Sequence, residues 1–247
     1  MNLQFLKKHL MLVVLAIVSI ILYLADYLII NNARDIASSF LGNLAFLPVY
    51  VIFVTLMVEQ IMRERERQTI MRKLNMVIGV FFSEVGNGLL SELSKCIAMG
   101  ADLRHELQVT GQWKDGDFRR ALAYLQNLDP DIDCSGRSRQ NLKNLLISKR
   151  GFLVGLLENQ SLLEHEEFTD LLWAVFHLVE ELAARESLDD MSKTDIDHIN
   201  GDIKRAYGYL SREWVLYMKH LKQDYPYLFS LAVRLNPMQE KPDPTVY

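Results

Sequence analysis

The chain has 247 residues, half of them hydrophobic, a formal net charge of −4 and a mean hydropathy of +0.04. That average hides two populations: residues 1–58 hold only Lys7, Lys8, Arg34, Asp26 and Asp35, a net +1, which leaves the remainder at −5. An acidic remainder without clustered Lys and Arg excludes a nucleic-acid partner, which is bound by displacing counterions from phosphate.

Residues 10–30 read as a first transmembrane helix. A helix rises about 1.5 Å per residue, so ~20 apolar residues cross a ~30 Å hydrocarbon core. The one charge in this run is Asp26, about one turn from its end, level with Tyr23 and Tyr27 as in an interfacial aromatic belt. A carboxylate inside an apolar span is a candidate proton or cation site, and its interfacial depth favours simple tolerance. The run is too long for a signal-peptide core and no small-x-small site follows it, so an uncleaved span is expected. Residues 40–58 read as a second span, with Pro48 as a kink and Asn43 and Thr55 as polar candidates for helix association or a pore lining. Ser38 and Gly42 add a small-xxx-small pair. Residues 31–39 are expected to be a short external loop, so the two spans form a hairpin.

Lys7 and Lys8 precede the first span, and Arg63, Arg65, Arg67, Arg72 and Lys73 follow the second, whereas the loop holds only Arg34. The positive-inside rule places both ends in the cytoplasm. The second basic group is also a candidate for anionic headgroups, although Glu64 and Glu66 offset it and Glu59 is spaced to pair with Arg63. Cys96 and Cys134 belong to no CxxC pair and, in the cytoplasm, are expected as reduced thiols.

Beyond residue 59 every pattern is helical. Apolar residues recur at Ile70, Leu74, Val77, Ile78, Phe81, Val85, Leu89, Leu93 and Ile97, in steps of three and four. A long helix is therefore expected to leave the membrane, weakened at Gly79, Gly86 and Gly88. After an irregular stretch at 100–117 come a helix from about Asp117 to Asp129-Pro130, a loop, and a helix over about 138–158. A capping box at Ser161 and Glu164 opens the next, to about 186, and Thr194 caps a long helix to about 223. Pro226 breaks that helix, and from Asn236 the prolines mark a flexible tail. The expected fold is all-α: a transmembrane hairpin followed by a helical domain of five or six helices over 59–235, with a tail at 236–247.

Nucleotide-loop, nucleophile-elbow and HExxH motifs are absent. Helical bundles can hold metal through Glu-x-x-His pairs on facing helices, and His177 with Glu180 and Glu181, Asp195 with His198, and His165 beside Glu164, Glu166 and Glu167 approach that pattern. The full motif set is missing, so these groups read as solvated helix faces, with no metal, cofactor or catalytic residue expected. Trp173, Phe176, Trp214 and Tyr217 fall at helical spacing and are expected in the core.

The stretches LLEHEEFTDLLWAVFHLVEELAAR and LKQDYPYLFSLAVR resemble those of an uncharacterised group of bacterial inner-membrane proteins, a likeness that covers most of the chain after residue 70. The resemblance implies a cytoplasmic membrane location and no known activity. Together these readings favour a non-enzymatic, membrane-anchored interaction or scaffold protein. Its partners would be the lipid bilayer and a protein or a second copy of the chain. A subunit of an oligomeric channel is the alternative, and a helical metalloenzyme stands third.

Overall fold

The structure, a computed structural model, describes residues 17–22, 24, 25, 28, 33–97, 101–159, 162, 165–239 and 241–246. The chain divides into two compact units, Met1–Arg67 and Gln68–Tyr247. It is all-α, and among the described residues the only strand-like pairing is an isolated bridge between Ile97 and Ile132.

The first helix, α1, runs Ala33–Phe81 and contains Pro48. It therefore begins inside the 31–39 stretch expected as a loop: ARDIASSF holds no proline or glycine to stop a helix. The helical run Ser38–Ser94 is the one described helix long and apolar enough to cross a membrane, with a stretch of mean hydropathy 2.1 of which none is buried. Most of the expected first span, Asp26 included, lies outside the described residues; 17–22, 24, 25 and 28 are helical. Among the described residues the two-span hairpin thus rests on one helix.

In the second unit α1 passes into a single π turn, Phe82–Gly86, and then α2, Asn87–Ser94. Phe81 and Phe82, at the entry to this turn, are both at 0 % exposure. Phe81 meets Phe168 edge-on at 5.3 Å, and Phe82 stacks on Tyr217 at 4.8 Å. The short α3, Ala101–Glu106, falls within the irregular stretch, and α4 starts at Asp115 because the Asp117 carboxylate accepts the Lys114 backbone N–H at 2.7 Å. Then come α5 (Gly136–Leu157), α6 (Glu166–Ala184), α7 (Lys193–Asp224) and α8 (Pro226–Arg234). Pro226 ends one helix and opens the next, as suits a residue whose missing N–H costs nothing in a first turn.

The 32-residue α7 is the spine of this unit: it packs on α2, α4, α6 and α8. Its stripe of Ile199, Ile203, Tyr207, Leu210, Trp214 and Leu221 is buried, as its period requires. Of the other aromatics expected inside, Tyr217 and Phe176 are partly buried, whereas Trp173 is 56 % exposed. Burying a tryptophan needs a facing element, and the periodicity of one helix cannot show whether one exists.

Two expectations are corrected here. Cys96 and Cys134, expected as free thiols, are joined in a buried disulfide 38 residues apart. The bond clips the end of α2 to the residue before the α5 cap, beside the Ile97–Ile132 bridge. Asn236, the expected start of a flexible tail, is 1 % exposed and donates to the Leu107 carbonyl at 3.1 Å. Lys222 donates to the Gly111 carbonyl at 2.8 Å and to that of Trp113, so the two side chains fasten the 107–113 loop.

Candidate metal centre

α6 and α7 form a hairpin joined by residues 185–192. At the start of α6 the His165 imidazole accepts the Phe168 N–H at 3.1 Å, a capping role the sequence assigned to Ser161 and Glu164, which lie outside the described residues. At the start of α7 the cap is Ser192, whose hydroxyl accepts the Asp195 N–H at 3.2 Å, rather than Thr194. The apolar stripes of both helices are buried against each other, and beside them run His177 and Glu181 on α6 and His198 and Asp202 on α7.

One donor atom from each of these four lies within 4.8 Å of the other three. Asp202 Oδ2 is 3.4 Å from His177 Nε2 and 3.6 Å from His198 Nε2. Glu181 Oε1 is 3.8 Å from His177 Nε2 and 3.6 Å from His198 Nε2. Both histidines sit at i, i+4 to a carboxylate on their own helix, the spacing that stacks side chains one turn apart. Both also meet the carboxylate of the facing helix.

The remaining carboxylate oxygens belong to arginines. Arg185 donates to Glu181 Oε2 at 2.7 Å and forks onto Asp195 at 2.6 and 3.1 Å. Arg205 donates to Asp202 Oδ1 at 2.9 Å. Arg185 holds the Glu181 and Asp195 carboxyls below their usual range, and the two carboxylates hold the Arg185 guanidinium charged. Each site carboxylate thus has one oxygen held by an arginine and the other turned to the histidines, as a partner behind a metal ligand would hold it. Asp202 is 2 % exposed, and its Oδ2 accepts no hydrogen bond. A buried carboxylate oxygen without a donor is costly, and a cation between it and the imidazoles removes the cost.

The arrangement uses part of the sequence expectation and discards part. His177, Glu181 and His198 do converge. Glu180 instead pairs with Arg150 at 2.9 Å, and Asp195 serves Arg185. Asp202 was not singled out, although its i, i+4 relation to His198 repeats that of His177 to Glu181. Asn43 and Thr55 are exposed on α1, and Glu59 pairs with Arg63 as its spacing predicts. Arg65, Arg67, Arg72 and Lys73 follow on the same helix, while Lys7 and Lys8 lie outside the described residues.

Residues 70–234 match the family described as "Uncharacterized protein MJ1433, C-terminal helical domain". Residues 4–62 match its companion, the "MJ1433, N-terminal helical domain". The chain belongs to the MJ1433 family. It is 41 % identical over 239 residues to the uncharacterised protein MJ1433 of Methanocaldococcus jannaschii, a match that covers 95 % of each chain. An uncharacterised helical family is what the resemblance in the sequence shares with this one; the bacterial two-span membrane group it implied is not shown, and this relative is archaeal. No solved structure matches.

Proposed function

We propose that this member of the MJ1433 family is a membrane-anchored metal-binding protein, whose helical domain holds one divalent cation between α6 and α7 and docks a protein partner or a second copy. The observation that carries the metal is the buried, donorless Asp202 Oδ2 facing two imidazole nitrogens at 3.4 and 3.6 Å. The apolar stretch of α1 and the basic residues after it support the anchor, with the helical domain on the cytoplasmic side. No reaction is assigned to the site. Asp26 lies outside the described residues and Asn43 and Thr55 are exposed on the first helix, so the channel-subunit reading stands second to this one.

The test is elemental analysis of the full-length protein, extracted in detergent, stripped by chelator, reloaded with Zn2+ and desalted. One ion per chain is expected, and loss of that ion in the double variant H177A/H198A. Both histidines are about half exposed, so their removal leaves the core packing intact. A wild-type chain that retains no ion, or a double variant that retains a full one, overturns the proposal. The first result would leave polar contacts between the imidazoles and the carboxylates as the account of the cluster.

A further inference from the structure

Resting on that reading, we infer that the site selects a zinc-class first-row ion over Mg2+ and Ca2+, and leaves the solvent side of that ion accessible to a fifth ligand, a small oxyanion. Four observations carry this. The donor set is two imidazole nitrogens and two carboxylate oxygens, whereas Ca2+ takes 6–8 oxygens and Mg2+ takes oxygen in a near-ideal octahedron. Arg185 and Arg205 already occupy Glu181 Oε2 and Asp202 Oδ1, which favours coordination through the one remaining oxygen of each carboxylate. Four monodentate donors are the number that Zn2+ or Co2+ prefers.

The spacing agrees. A tetrahedral ion with bonds of about 2.0–2.1 Å sets its ligand atoms ~3.3 Å apart. The four histidine–carboxylate separations here are 3.4, 3.6, 3.6 and 3.8 Å, and all four donor atoms lie within 4.8 Å of one another, so the side chains need only draw inward to close on one ion.

Openness follows from burial. Asp202 forms a closed floor at 2 % exposure, while the His177 and His198 side chains are 46 % and 53 % exposed. An ion held there by the four donors meets solvent on the histidine side, where water or another ligand can add as a fifth. The local charge favours an anion at that position. The carboxylates of Glu181, Asp202 and Asp195 against the guanidiniums of Arg185 and Arg205 leave one negative charge, which a divalent ion converts to one positive. Arg205, 54 % exposed, adds a donor at the rim.

The experiment is a Co2+ titration of the stripped full-length protein followed by visible absorption, with inorganic phosphate as the anion probe. The expected spectrum is the intense band of four- or five-coordinate Co2+. It should be abolished by stoichiometric Zn2+ and unmoved by a thousandfold excess of Mg2+ or Ca2+. Added phosphate should shift the band saturably. Displacement by Mg2+ or Ca2+ at comparable concentration, or the weak band of six-coordinate Co2+, overturns the selectivity. A band that phosphate leaves unchanged overturns the fifth-ligand position. A protein that binds no Co2+ and no Zn2+ is a different outcome, the failure of the metal reading itself.

Discussion

Glu213 is 3 % exposed on α7, and its Oε1 accepts no hydrogen bond. Burial pushes its carboxyl from 4.5 up to about 7, the neighbouring Glu167 adds to the rise, and Arg212 opposes it. A folded-state value above the unfolded one means that folding favours the protonated form. That stability is fully present below about pH 4.5 and is lost as pH rises through about 7, a difference of up to about 3 kcal/mol. Glu213→Gln should therefore stabilise the protein at pH 8 by about 1–3 kcal/mol, with the advantage gone near pH 4.5, in denaturant titrations of the chelator-treated chain. A gain of equal size at both pH values would show that ionisation of Glu213 is not its source. At this same scale the histidine–carboxylate cluster was half legible. The i, i+4 pairs His177/Glu181 and His198/Asp202 stand in the sequence, but such pairs are ordinary on solvated helices. Only the burial of Asp202 and the approach of a second helix distinguish these.

Among the elements, the π turn at Phe82–Gly86 shows how one position sets a local path. A Cβ on Gly86 would lie 2.5 Å from Phe82 Cδ1 and 3.0 Å from Phe81 Cε1, both on fully buried rings. Gly86→Ala should cost about 1–2 kcal/mol, the strain of an overfilled core less the gain in helix propensity. Gly155→Ala, in the interior of α5 with nothing within 4 Å, should instead gain about 0.5–1 kcal/mol. Thermal unfolding of the two variants separates the effects, and equal shifts would remove the steric account of Gly86. The sequence marked a weakened helix near Gly79, Gly86 and Gly88, because glycine is a poor helix former wherever it stands. It could not choose among the three: what singles out Gly86 is the Phe82 ring, placed by its stacking on Tyr217 from another helix. The caps tell the same story. Threonine and serine both cap helices, and the first turn of α7 takes Ser192 in place of the expected Thr194.

At the scale of the molecule, the matched family regions, 4–62 and 70–234, flank the division between the compact units at Arg67 and Gln68. The anchor reading predicts that the full chain stays with membranes through high-salt and alkaline washes. A chain lacking residues 1–67 should leave them while keeping its helical circular dichroism. Release of the full chain by those washes would remove the anchor. Protease added to intact cells should leave the helical domain undigested if the basic flanks face the cytoplasm. Digestion would place the domain outside, the oxidising setting in which a bond such as Cys96–Cys134 ordinarily persists.

The sequence alone determined the all-α class, the apolar stretch of α1, the inward stripes of α5, α6 and α7, and the pairing of Glu59 with Arg63. All of these depend on spacing along one chain, where 3.6 residues per turn converts sequence directly into a face. The tertiary structure decided the meeting of Cys96 with Cys134, the docking of Asn236 on Leu107, the exposure of Trp173 and the convergence of two histidines on Asp202. Each of these depends on which element lies opposite. Contacts between distant segments are set by the packing of whole helices, which the periodicity of any one of them leaves open.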